Sequence, residues 1–518
     1  MSAETDARAV VLQNVDLLSI VFDYLSAERT KSDQDALETR KGLRSTALVC
    51  KDFVEPALDC LWHTLPSLMP LLKLLPSFGL IDGAYMLEDM EEGDWERYDN
   101  HARRVRILDL KPDQVSLSPF VYPRIMRHRK GPLLPALREL RIPDNTSIDL
   151  TLAFIVTTPD LKIIEIKGSA MKDAKFSYPF LASLSSEHPR LEHLIIDGDR
   201  AINLKPILKL THLRTLELCL PNMHLSTSFM EELGNMKSLL SFTLHAGVQT
   251  LVSIPEPVRR EPLPRLPPIT TRKFKQLKHL HVLGTISCIA RVMEYMNPTS
   301  LLSFSLTESR DSSGNLLRPF WTQCFDRLAS SENLASITIN HCSQGKKEDY
   351  LSASSLEPLF DLSGMQHLMI HGDSFTATDS ELLALACAFP RLKTLALPSG
   401  WHTSAPTPKS LCHLALSCPE LEELRICLNV DQNLANTVKS MTDDIEEMPL
   451  KHKHSLRRLY INSSLGSLSN SQSIVFARLV DTAFPVLEAL REYSDKVGTW
   501  SFVWELVVAF QDVRWSCQ

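Results

Sequence analysis

Histidine is the first residue type here with chemistry to offer. The chain has 17 of them, and His279/His281 and His452/His454 form two H-x-H pairs. On a strand, residues i and i+2 share a face, so each pair could present two imidazoles to a metal. The commoner reading is a set of solvent-facing histidines, and no metal site is expected. The 11 cysteines are odd in number, run from Cys50 to Cys517 and form no CxxC pair. Cys219 and Cys427 stand among apolar neighbours, so these thiols read as small buried hydrophobes rather than ligands or disulfides. No G-x-x-x-x-G-K-[ST], H-E-x-x-H, G-x-S-x-G or dinucleotide glycine fingerprint occurs. No catalytic residue and no cofactor is expected, and the chain is not read as an enzyme.

Charge narrows the partners. A net charge of −7 and a pI near 6.2 speak against wholesale nucleic-acid binding. The acidic run Glu88, Asp89, Glu91, Glu92 and Asp94 reads as a solvated linker, or alternatively as a contact for a basic partner. No stretch reaches about 18 uninterrupted apolar residues. The polar N-terminus does not resemble a signal peptide. A cytoplasmic and/or nuclear protein without a membrane partner is expected.

The elements that must position any site are repeats. At 518 residues the chain exceeds one hydrophobic core. A pattern of apolar, two variable, apolar, one variable, apolar recurs. It begins with Val105…Leu108…Leu110 and Leu137…Leu140…Ile142. It continues from Leu161, Leu191, Leu213, Leu239, Leu277, Leu301, Leu334, Met365, Leu392 and Leu421 to Leu456…Leu459…Ile461. A degenerate copy starts at Leu487. Successive starts lie 22 to 38 residues apart, enough for one strand and one helix. The last two apolar positions share a strand face, and the residue between them points the other way. Stacked units would bury a continuous core beside a parallel sheet. Glu381–Phe389 reads as a return helix. Prolines two residues before the first apolar position, at 135, 159, 189, 419 and 485, punctuate the helix-to-strand turns.

This pattern resembles the leucine-rich-repeat family. The resemblance implies an α/β solenoid, a horseshoe with parallel strands on the concave face and helices outside. The intervening strand residues would then meet a target, with Glu165, Glu217, His281, Thr338 and Arg425 as candidates.

A different pattern precedes the repeats. Val11, Val15, Leu18, Phe22 and Leu25 form one helical stripe. A polar stretch, 26–41, follows, and then a second apolar block, 43–65, in which Pro56 is expected to break or restart the helix. Leu12 to Leu25, then Leu48–Val49–Cys50–Lys51–Asp52–Phe53, then Leu61–Trp62, resemble the F-box. Gln13 stands where that family has proline, and the long polar stretch implies a loop insertion. Asp94–Tyr98 and Ala102–Arg106 resemble the junction into the repeats in fungal F-box proteins. The resemblance implies docking to a Skp-type adaptor, and through it a cullin, by Val11, Leu12, Val15, Leu18, Phe22, Leu48, Val49 and Phe53. Some of these must instead form the module's own core.

The expected organisation is an F-box-like helical module over 1–65 and a linker or first-repeat cap over 66–103. A solenoid over 104–485 and a degenerate last repeat with a C-terminal cap over 486–518 complete it. Trp500, Trp504 and Trp515 read as part of that cap. The proline-rich stretch 255–268 and the charged stretch 431–453 read as exposed loops. The function expected is substrate recognition in a Skp/cullin/F-box ubiquitin ligase. A repeat scaffold with no ubiquitin role, in which 10–65 merely caps the solenoid, is the alternative.

Overall fold

The structure, a computed structural model, describes residues 14–25, 33–111, 117–118, 120–129, 131–144, 151–168, 171, 174–198, 202–221, 225–246, 273–296, 298–308, 318–341, 351–372, 375–397, 405–430, 454–463, 468–492 and 499–516. The chain divides into two compact units, Met1–Leu220 and Pro221–Gln518. The stretches 255–268 and 431–453 lie outside the described residues.

Each copy of the apolar pattern is a strand. Fifteen strands follow one another in sequence order, six in the first unit and nine in the second. In the first unit Ile107–Asp109 pairs in parallel with Glu139–Ile142, and the ladder continues through Ile163–Ile166 and His193–Asp197 to Thr215–Leu220. In the second it runs from Ser241–Ala246 and His279–Gly284 to Arg458–Ser463 and Ala489–Glu492. The register aligns equivalent repeat positions, as in Leu280↔Phe304 and Phe304↔Ile337. The first apolar residue of every copy is buried, from Val105 to Leu487. This is a leucine-rich-repeat solenoid, built because no single strand can bury its apolar face alone.

The prolines act through turns. Leu137, Leu161, Leu191, Leu392, Leu421 and Leu487 each donate an amide to the carbonyl three residues earlier, at 3.0–3.3 Å. Each proline is the second residue of that turn, where its fixed φ costs nothing and its missing N–H is not needed. Buried polar side chains cross from one such turn to the last. Thr158 Oγ1 donates to the Leu137 carbonyl (3.0 Å), and His188 Nδ1 donates to the Thr158 carbonyl (2.8 Å). The expected return helix is Asp379–Ala388, begun by a capping box between Thr378 and Glu381. The C-terminal helix Thr499–Ser516 buries Trp500, Val503 and Val507, and Trp500 packs on Phe476 at 5.2 Å.

The N-terminal segment departs from expectation in two places, the polar stretch and Pro56. Part of the polar stretch is not a loop, because the helix Asp33–Ala47 begins within it. Acidic residues open that helix, in the sense its dipole favours, and Leu43 near its other end is buried. Pro56 does not break the third helix, Lys51–His63. It removes one backbone bond, but it and Ala57 are buried in the module. The span 66–103 is ordered structure. It holds an antiparallel hairpin, Phe78–Ile81 with Ala84–Leu87, turned by Asp82 and Gly83 at positive φ. It also holds the helix Trp95–Ala102, and Glu91 and Asp94 of the acidic run make the capping box of the short turn before it.

The third helix runs straight into the first strand, Thr64–Leu65, which pairs with Ile107–Leu108. Arg104 is buried and binds Glu55 (2.6 Å) and Asp59 on the third helix. Trp62 stacks on His101 at 4.4 Å. Helical module and first repeats are therefore one continuous structure. Among the described residues no helix is long and apolar enough to cross a membrane.

Candidate functional site

Two surfaces could bind a partner, and the first is built on the helix Val15–Tyr24. Asn14 starts it, its Oδ1 accepting the amides of Asp16 and Leu17 at 3.1 Å each. Leu18 and Phe22, one turn apart, are buried with Leu43 and Ala57, and Ala47, Phe53, Cys60 and Leu61 pack against them. Phe22 meets Phe53 edge-on at 5.6 Å. That contact brings the end of the first helix to the start of the third. Leu48 and Val49 form the turn just before the third helix.

Among the described residues, the other side of the first helix is exposed. Leu17, Ile20, Val21 and Tyr24 are 43–69% exposed, Leu25 follows them at 48%, and Leu48 and Val49 reach 82% and 70%. Positions 17, 20, 21 and 24 follow the i, i+3, i+4, i+7 rule of one helical face. The helix therefore carries two apolar stripes, one spent on the module's core and one facing outward. A helix apolar on both sides normally has packing on both sides.

The residues expected to dock the adaptor thus separate. Leu18 and Phe22 are core, and Phe53 is half-buried against them. Leu48 and Val49 are at the surface. Val11 and Leu12 lie outside the described residues, as does the side chain of Val15. The outward stripe was missed, although its signal, four apolar residues at helical spacing beside the core stripe, is present in the sequence.

The second surface is the outward row of the strands. In the first unit Asp109, Arg141, Glu165, Ile195 and Glu217 stand in register. Arg141 binds Glu139 at 2.6 Å and reaches Glu165 at 3.9 Å, while Lys167 binds Glu165 at 2.5 Å. That hydrogen bond raises the Lys167 ammonium above its usual range, with the charges of Asp197 and Glu217 adding to it. In the second unit Thr243, His281, Ser305, Thr338 and Met369 share one row, which continues through Ala396 to Arg425 and Tyr460. All five candidate target-facing residues, Glu165, Glu217, His281, Thr338 and Arg425, are half-buried members of these rows.

Their surroundings differ in chemistry. Burial holds the His281 imidazole below its usual range and the neighbouring His245, 5.6 Å away, adds to this. Burial does the same to His371, with Arg425 adding. The Arg425 guanidinium lies over the Tyr460 ring at 4.7 Å, and Glu423 accepts from both Arg425 (2.7 Å) and Arg458 (2.9 Å). The second unit thus presents neutral imidazoles, hydroxyls and a braced arginine at neutral pH. The first presents more carboxylates than cations.

Of the two H-x-H pairs, His279 is exposed and His281 half-buried. His454, expected to face solvent, is instead buried, 3% exposed. Its Nε2 donates to the Cys418 carbonyl (3.0 Å) and its Nδ1 accepts from the Leu456 amide (3.1 Å). His452 lies outside the described residues. Among the described residues no three His, Cys, Asp or Glu side chains are placed to hold a metal. Cys324 and Cys427 are buried, and burial pushes their thiols up to about 12 and about 11. Cys219 is half-buried, and burial raises its thiol to about 11.

No family model matches the chain, and no curated protein does. Among solved structures, one similar chain comes from the crystal structure of the Rad7 and Elc1 complex in yeast. It has 14% identity and a TM-score of 0.34, over 67% of this chain and 80% of that one. Another comes from the crystal structure of the TLR13–ssRNA13 complex, with 14% identity and a TM-score of 0.38 over 76% of this chain. The chain spans about half of that one, 53%.

Proposed function

We propose that this protein is a substrate receptor of a Skp/cullin/F-box ubiquitin ligase, with no catalysis of its own, acting in the cytoplasm or nucleus. The N-terminal module docks a Skp-type adaptor, and the outward strand rows hold the target protein. The observation that carries this reading is the second apolar stripe on the first helix, exposed as are Leu48 and Val49 before the third helix. Helix-in-groove docking needs such a face, with anchors at i, i+3, i+4 and i+7. The F-box-like residues of 12–65 supply the kind of partner.

The docking set is revised accordingly. Leu17, Ile20, Val21, Tyr24, Leu25, Leu48 and Val49 face the adaptor, while Leu18, Phe22 and Phe53 hold the module together. The continuity of the third helix with the first strand gives the adaptor a fixed position relative to the first repeats.

Co-expression with a Skp-type adaptor tests this. A stable stoichiometric complex on gel filtration that also recruits a cullin is the expected result. A chain that stays alone would leave a repeat scaffold whose helical module serves only as a cap, the reading favoured by the Thr64–Leu65 strand and the Arg104 ion pairs.

A further inference from the structure

A groove of about 330 Å³ lies in the first unit, between the hairpin and the helix Val121–His128. One wall is the hairpin strand Ala84–Leu87 with Met86 and Leu87, and the other is Phe120 with the start of the helix Val121–His128. The helix is seated by its buried Val121, Tyr122 and Ile125. Arg124 fastens it to the hairpin by donating to the Leu87 carbonyl. Leu117 bridges to Tyr85, and Ser118 donates its amide to the Tyr85 carbonyl at 2.9 Å. The groove is therefore a built feature between anchored elements.

Two properties of its rim point to a ligand. Phe120 is 69% exposed and Met86 36%, although buried apolar neighbours adjoin both. Arg124 and Arg127, one helical turn apart, both line the groove, and among the described residues neither has a carboxylate partner. Glu88 and Asp89, exposed just beyond Leu87, pair with neither. This contrasts with Arg104, Arg129, Arg141, Arg190 and Arg425, each of which has an acidic partner.

We propose that this groove binds a peptide segment of a partner protein in which a large apolar side chain is flanked by acidic residues. The apolar side chain fills the space between Met86, Leu87, Phe120 and Val121, and its carboxylates meet Arg124 and Arg127. A volume of about 330 Å³ suits one or two large side chains. A concave site with buried Leu87 and Val121 in its walls suits a side chain better than a lipid surface, which meets convex apolar faces. The site is independent of adaptor docking, so either reading can fail alone.

The test is selection from a displayed library of random peptides with the full chain as bait. The expected result is enrichment of peptides with a large apolar residue beside acidic ones. A peptide so enriched should lose affinity by about tenfold with Arg127→Glu, since reversing a contacting charge replaces attraction by repulsion. Met86→Asp should lose it comparably. Arg127 is exposed and makes no contact that folding needs, so the melting temperature of its variant should match wild type. No enrichment, or enriched peptides indifferent to both changes, would overturn the proposal. So would arginine-dependent binding to phosphatidylserine vesicles without any peptide enrichment, because the ligand would then be a membrane.

Discussion

The repeats and the N-terminal module use the same apolar residues in opposite ways. In the repeats each residue of the pattern meets the equivalent residue of the next copy, and Leu140, Ile164, Leu194 and Leu216 are all fully buried in one line. Repetition supplies every unit with a partner made of the same sequence. Among the described residues, the first helix leaves a second apolar stripe exposed. Leu18 and Phe22 are covered, while Ile20 and Val21, beside them in sequence, are more than half exposed. Burying one such side chain stabilises by about 1.5–3 kcal/mol, a gain that the exposed stripe leaves unused within the chain. The buried stripe holds the fold, and the exposed one is the face assigned to the adaptor in the proposed function.

Truncating buried and exposed residues should give opposite outcomes, with the largest effects among the buried ones. Phe304→Ala in the repeats and Phe22→Ala in the module should each cost about 3–5 kcal/mol, as for other large buried side chains. Val21→Ser, one residue from Phe22, should change stability by no more than about 0.5 kcal/mol. Denaturant titration of the three variants gives the contrast directly.

Backbone demands sharpen it next. Gly372 has φ +134°, and a Cβ there would stand 1.7 Å from the His341 carbonyl oxygen of the neighbouring strand. Gly83 in the hairpin turn has φ +80° but nothing within 4 Å. Gly372→Ala should therefore cost about 2–4 kcal/mol, and Gly83→Ala only about 1 kcal/mol, for the left-handed conformation alone. Thermal melts would rank the two.

A pH effect of intermediate size belongs to the repeats. Burial lowers the His454 imidazole to about 4, opposed by its hydrogen bond to the Cys418 carbonyl. His188 is shifted down for the same first cause. The folded state keeps His454 neutral while the unfolded chain takes up a proton below about 6.5, so stability is full above that pH and falls as pH drops towards 4. At pH 5 the loss should be about 1–2 kcal/mol for His454. Denaturant midpoints at pH 7 and pH 5 should converge in a His454→Asn variant relative to wild type.

An effect of the same size lies where the two regions join. Arg104→Ala should cost about 1–2 kcal/mol, because Glu55 and Asp59 are largely exposed and can return to water. The Arg104 hydrogen bond also holds the Glu55 carboxyl below its usual range. Limited proteolysis should then cut between module and repeats faster than in wild type.

The solenoid was legible because its information is local and repeated. Leu–x–x–Leu–x–Leu gives strand, face and register at once, and a register error would expose every copy. Proline positions revealed the turns, although their role as second turn residues needed the hydrogen bonds to be seen. The module was less legible because Leu17 and Leu18 are chemically identical, and only a tertiary neighbour, Phe53, decides which stripe is core. The hairpin at Asp82–Gly83 went unread despite its turn dipeptide, hidden beside an acidic run that suggested a linker. His454 was misassigned for a similar reason. The carbonyl that makes its burial tolerable belongs to Cys418, in the preceding repeat turn.

We propose that the outward stripe of the first helix docks the adaptor. Titration calorimetry of the full chain with a purified Skp-type adaptor tests it, comparing wild type with a Val21→Asp, Leu48→Asp variant. Wild type should bind, and the variant should bind at least about a hundredfold more weakly with an unchanged melting temperature, as expected when two central anchors of an interface are removed. Equal binding by the folded variant, or no binding by wild type, would contradict the account.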